Sequence, residues 1–252
     1  MAGYRCFGLT VIVVTMSLSL RAQSGGPSSG LINRSGIQYS HKNGKLYVVD
    51  PEHEGIAIVA MNGAAKSLRT GLGPVSIAVN EQTGRVYVAN SGDRSIAVVD
   101  GSTDAVIAMG STAAKPYALA VDEVNDKVYV SNTFSDQLTV MDGKTNAISN
   151  VKAGSADAIL VNARRSKVYL LGYESDSVKV LDEQTGILSE LPAGAMHLWA
   201  IAQLGSVLYV THVQDASMEA INVETHARQT IATGAMPCAL AVDAGVGATD
   251  SC

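Results

Sequence analysis

A short apolar segment centred on tyrosine recurs along the chain: "KLYVVD" around Tyr47, "RVYVAN" around Tyr87, "KVYVSN" around Tyr129, "KVYLLG" around Tyr169 and "VLYVTH" around Tyr209, at steps of 40, 42, 40 and 40 residues. Other landmarks keep the same phase. "PVSIAVN" from Pro74, "PYALAVD" from Pro116 and "PCALAVD" from Pro237 open their units alike, and "ADAILVN" and "MHLWAIA" take that place in the units between. Asp100, Asp142, Asp182 and Asn222 each close a third apolar segment, and Gly110, Gly154, Gly194 and Gly234 stand near the end of a fourth. Each unit therefore reads as four short strands. β-Branched and aromatic residues fill them, and Asn, Asp, Gly and Thr punctuate them. No sustained 3.6-residue period follows the N-terminal segment.

Four short strands in forty residues cannot bury their own apolar faces. Arranged around an axis, each sheet buries both faces against its neighbours, which is the β-propeller solution. The fold expected is all-β: a propeller of four-stranded blades spanning 35–252, with units at 35–73, 74–115, 116–155, 156–195 and 196–236 and a partial unit at 237–252. At 47% hydrophobic and 16% charged residues, the chain can supply such a core.

The strands "YVAN" at Tyr87 to Asn90 and "YVSN" at Tyr129 to Asn132, with "YVTH" at Tyr209 to His212, resemble the YVTN-type β-propeller repeat family. The resemblance covers roughly residues 35 to 245 and implies a disc of about seven blades, usually exported. It carries over no catalytic residue. Seven such units need about 280 residues. Where a sixth "VYV" strand is due, this sequence reads "AGVGATDSC". The expectation is an incomplete ring, with exposed blade edges open to a partner or to self-association.

The N-terminus places Arg5 before an apolar run from Cys6 to about Leu20, with Ala22 before a cleavage point, and 1–22 reads as a signal peptide. The run falls short of the ~20 residues of a spanning helix. Residues 23–34, rich in Ser and Gly, read as a flexible lead-in. Export to the periplasm or the cell exterior follows, with no membrane span in the mature chain. Loss of Arg5 and Arg21 takes the formal charge from -5 to 16 minus 23, or -7. With no basic cluster, nucleic acid is not an expected partner. Of the two remaining cysteines, Cys238 and Cys252, pairing is left open.

Chemistry is less legible. The connections between second and third strands place Glu52, His53, Asp93, Arg94, Asp136, Tyr173, Asp176, His212 and Asp215 around one rim, as candidates for binding; the simpler reading is that Asp, Ser and Gly there make turns. His197 and Trp199, the chain's single tryptophan, are candidates for a central channel. Tyr47, Tyr87, Tyr129, Tyr169 and Tyr209 read as structural, stacking between sheets. No catalytic residue, metal site or cofactor is expected, because no HExxH, nucleophile elbow or phosphate loop is present. The function expected is a non-catalytic scaffold that binds a protein or a glycan through loops on one face. The alternatives are a propeller enzyme of lyase or quinone-linked dehydrogenase type, or a truncated and inactive repeat protein.

Overall fold

The computed structural model describes residues 4–6, 9–14 and 36–242. The lead-in at 23–34, the cleavage region and Cys252 lie outside the described residues. Five four-stranded antiparallel sheets follow one another in chain order. Blade 1 comprises Ile37–Ser40, Lys45–Asp50, Gly55–Ala60 and Ala65–Arg69, and blade 2 Pro74–Val79, Arg85–Asn90, Ser95–Asp100 and Ala105–Ser111. Blade 3 comprises Lys115–Asp122, Lys127–Thr133, Gln137–Asp142 and Ile148–Lys152. Blade 4 comprises Ala158–Asn162, Lys167–Leu171, Ser177–Asp182 and Leu188–Pro192, and blade 5 Leu198–Leu204, Val207–His212, Ser217–Asn222 and Arg228–Ala232. Of the partial sixth unit, Ala239–Val242 forms a strand. Leu9–Val14 pairs with it antiparallel, Val11 opposite Val242, and Tyr4–Cys6 pairs in turn with Leu9–Val14. Two short 3-10 turns, Pro51–His53 and Ala163–Arg165, are the helical elements among the described residues. No helix among them is long and apolar enough to cross a membrane.

Burial follows position in the blade. The second strand Arg85–Asn90 is buried on both faces after its first residue, whereas the outer strand Ala105–Ser111 alternates between exposed and half-buried. Inner strands are clamped between neighbouring sheets; outer strands meet water on one side.

The repeated tetrapeptide has a separate physical job for each letter. Its tyrosine faces the following blade: Tyr87 packs with Leu119, Val128, Val130 and Met141 of blade 3. The flanking valines face the preceding blade, so Val86 and Val88 join Tyr47, Ile56 and Ile58 of blade 1. The third letter meets a bulge. The inner strand slips register between Pro116 and Leu119 and again between Leu198 and Ile201. The freed N–H groups of Ala118 and Ala200 donate to Ser131 Oγ and Thr211 Oγ1, each at 3.0 Å. In blade 2 the letter is Ala89, and Ser76 Oγ is left buried without a partner. The fourth letter ties loops together: Asn90 Nδ2 donates to the Thr70 carbonyl at 2.9 Å, and Asn132 Nδ2 to the Gln137 carbonyl at 2.8 Å.

The recurrent Asp and Asn after the third strand close Asx turns. Asp142 Oδ1 accepts from the N–H groups of Lys144 and Thr145, and Asp182 Oδ1 from those of Gln184 and Thr185.

The sheets do not close into a ring. Five apolar clusters run in series, from blade 1 against blade 2 to blade 5 against Leu240 and Val242. On the first blade, Leu46 and Val48 occupy the places of Val86 and Val88 but have no preceding blade among the described residues. They are only half-buried, and Ile37 and Tyr39 beside them are 41% and 39% exposed.

Candidate functional site

An antiparallel four-stranded blade sends its 2–3 loop, and the connection to the next blade, to one end. The 1–2 and 3–4 turns go to the other. The rim candidates lie at or beside the first end, yet the chain does not gather them into one constellation. In blade 1, His53 Nδ1 bonds Asp50 Oδ2 at 2.7 Å and Glu52 is exposed. In blade 2, Asp93 accepts from the Leu72 N–H at 3.0 Å and from Ser95 Oγ at 2.6 Å, closing its own loop, and Arg94 is exposed in the left-handed region at φ 56°. Asp136 pairs with Lys152 at 3.3 Å, and Asp176 and Asp215 are exposed.

His212 departs from the rim reading. It is the last residue of the strand Val207–His212 and only 1% exposed. It stands where blades 2 and 3 carry Asn90 and Asn132, and its Nδ1 lies 3.3 Å from the Met196 carbonyl, while Nε2 is buried without a partner. Its position serves the loop tie of the fourth letter rather than a surface contact.

Blades 4 and 5 differ from the rest of the rim. Tyr173, from the 2–3 loop of blade 4, meets His197 and Trp199, from the start of blade 5's inner strand. Ring centroids are 5.1 Å apart for Tyr173–His197 and 6.0 Å for Tyr173–Trp199, the latter pair edge-to-face at 83°. The Tyr173 N–H donates to Asp157 Oδ2 at 2.7 Å, and Gln214 Nε2, from the 2–3 loop of blade 5, donates to the Tyr173 hydroxyl at 2.8 Å. All three rings are half-buried, with Gln214 exposed beside them. His197 is held at φ 60° where blade 2 places Gly73, also at φ 60°. Met236 takes the same left-handed conformation, at φ 53°, just before the next unit. The three rings make an aromatic corner across one blade junction on the loop end.

The opposite end carries a feature that the sequence reading passed over. Between blades 1 and 2, Lys45 Nζ reaches the Gly101 carbonyl and Asp104, each at 2.8 Å; between blades 2 and 3, Arg85 reaches the Gly143 carbonyl. At the corresponding place in blade 4 the residue is Glu183, and the Tyr129 hydroxyl donates to it. A cleft of about 350 Å³ opens there, floored by Tyr129, Val140, Val151 and Leu181. Burial first, and the neighbouring Asp122 carboxylate with it, push the Glu183 carboxyl up to about 7 in all, against the lowering effect of the Tyr129 bond. The step from Asp-Gly at 100–101 and 142–143 to Asp182-Glu183 was the readable signal. Among the described residues, no three His, Cys, Asp or Glu side chains converge to hold a metal ion.

The raised carboxyl gives a pH dependence. Its folded value lies near 7 against an ordinary 4.5, so the folded chain holds this proton more firmly than the unfolded chain. That stabilisation is complete below about 4.5 and is lost as pH rises through about 7. After screening at this half-buried site it is worth about 1–2 kcal/mol. The lowered carboxyls of Asp100, Asp104, Asp136, Asp142 and Asp182 act only at lower pH. Thermal unfolding followed at pH 5 and pH 8 should therefore show Glu183→Gln removing a fall in Tm of a few degrees. Identical pH profiles for the two proteins would contradict this.

No protein-family model and no curated protein sequence matches the chain. Its likenesses are to solved structures. Hydrazine synthase of Kuenenia stuttgartiensis superposes with a TM-score of 0.68 at 14% identity, over 87% of this chain and 71% of that one. A catalytically inactive virginiamycin B lyase from Staphylococcus aureus with quinupristin gives 0.66 at 12% identity, over 81% and 73%. A chain of a nidogen/laminin complex gives 0.61 at 17% identity, over 85% and 84%. Enzymes and a non-enzyme stand side by side at these identities, so the likeness is one of architecture: this chain has a β-propeller fold, built as an unclosed series of blades.

Proposed function

We propose that the chain is an exported, non-catalytic scaffold of the YVTN-repeat kind, which binds a protein or a glycan through the loop end of blades 4 and 5. The observation that carries this reading is the corner of Tyr173, His197 and Trp199, half-exposed and braced by Asp157 and Gln214. Aromatic side chains offer large contact area at small entropic cost and dominate binding hot spots. Asp50, Asp93 and Asp136 of blades 1 to 3 are engaged within their own loops or strands, which favours this junction over the rest of the rim.

The reading is tested by comparing wild-type protein with Tyr173→Ala, Trp199→Ala and Asp93→Ala on a glycan array and a displayed library of extracellular protein segments. The expected result is at least one ligand whose binding falls tenfold or more, about 1.4 kcal/mol, in both aromatic variants but not in Asp93→Ala. A ligand set unaffected by Tyr173→Ala and Trp199→Ala would overturn it.

A further inference from the structure

We infer that the aromatic corner takes a cationic group, an arginine or lysine side chain presented by a basic segment of a partner protein. This rests on the loop-end reading above and narrows it to one ligand chemistry. The first observation is the geometry. Tyr173 and Trp199 meet edge-to-face at 83° and the Tyr173 and His197 rings are tilted at 59°, so neither pair is stacked and the half-buried group presents a ring face not covered by a parallel neighbour. A guanidinium or ammonium within about 6 Å of a ring centroid is drawn to that face, most strongly to tryptophan.

The second observation is charge. The connecting segments that build this end of blades 4 and 5 are 153–157, 172–176, 193–197 and 213–216. They carry Asp157, Glu174, Asp176 and Asp215 and contain neither Lys nor Arg. Glu174, Asp176 and Asp215 are exposed. The strand cations that reach these connections are Lys179, against Gly154, and Arg228, against Gly194. Gln214 already directs its amide N–H to the Tyr173 hydroxyl. The carboxylates that these connections contribute are therefore not matched by any Lys or Arg of the connections themselves. A guanidinium presents donors only and carries the charge that complements carboxylates, which a neutral sugar does not. The exposed carboxylates of Glu174, Asp176 and Asp215 attract a basic segment toward this end.

Trp199 is the chain's single tryptophan, so its fluorescence reports from inside the site. The purified protein is titrated with a peptide alternating glycine and arginine, with the same peptide carrying neutral citrulline for arginine, and with a neutral maltooligosaccharide. The expected result is a saturable change with the arginine peptide alone, weakened about tenfold or more by Tyr173→Ala. It should also weaken as salt rises from about 0.05 to about 0.5 M. No response to the arginine peptide, or an equal response to the citrulline peptide, overturns the inference. A saturable response to the oligosaccharide alone overturns it while leaving the loop-end reading standing. That reading falls only if the aromatic variants keep every ligand in the array comparison.

Discussion

Replacing Tyr87 by alanine is expected to destabilise the chain by ~3–5 kcal/mol, a fall in Tm of roughly 10 °C. Tyr87 is fully buried and fills the junction between blades 2 and 3 against Leu119, Val128, Val130 and Met141. Its loss removes the ring and leaves a cavity between two sheets that are each tied to a further neighbour and so cannot collapse. The hydroxyl is a separate matter. It is buried without a partner, and burial pushes it up to about 12. An unsatisfied buried hydroxyl costs free energy, so Tyr87→Phe should be neutral or stabilising by up to about 1 kcal/mol. Tyr129→Phe should instead lose about 1 kcal/mol, because that hydroxyl donates to Glu183. Denaturant unfolding of the three variants measures all of this, and a Tyr87→Phe cost matching that of Tyr129→Phe would contradict the distinction.

The second large effect is expected at Gly55→Ala. Gly55 opens the third strand of blade 1 opposite Arg69, and a Cβ there would stand 1.9 Å from the backbone carbonyl of Leu68. Backbone cannot rotate aside as a side chain can. The outer strand Ala65–Arg69 must shift, and the cost should be about 3 kcal/mol, at the upper end of overpacking changes. The constraint is particular to this blade, since the corresponding positions hold Ser95, Gln137, Ser177 and Ser217. Ser95→Ala should accordingly cost about 1 kcal/mol, the worth of its bond to Asp93. Equal losses for Gly55→Ala and Ser95→Ala in a thermal melt would remove the steric explanation.

Much of this architecture can be read from the phase of five tyrosines. Their spacing announces the blades, and the two-sided burial of "VYV" follows from a sheet that must face two neighbours. The count of five full units in the sequence also matches the five four-stranded sheets. Other features depend on juxtaposition. Tyr173 lies about two dozen residues before His197 and Trp199, and nothing in a linear reading brings a 2–3 loop against the next blade's inner strand. His212 misleads because it sits next to a loop in sequence while its side chain is drawn inward to the Met196 carbonyl. Ser131 and Thr211 look like ordinary strand residues until the register slips beside Ala118 and Ala200 become visible. Glu183 was within reach, since it interrupts a turn that twice reads Asp-Gly.

An unclosed series of blades has unequal ends and a well-supported middle, and native-state hydrogen exchange resolved blade by blade tests this most directly. The second strands of blades 2, 3 and 4 lie between sheets on both faces, so their amides at 86–89, 128–131 and 168–170 should be the slowest to exchange. The amides at 46–49 of blade 1, whose outward face holds half-buried Leu46 and Val48, should exchange at least about tenfold faster through sub-global opening. Protection of blade 1 equal to that of blades 2 to 4 would contradict the account, because it would mean that the ring is closed over the face of Ile37, Tyr39, Leu46 and Val48.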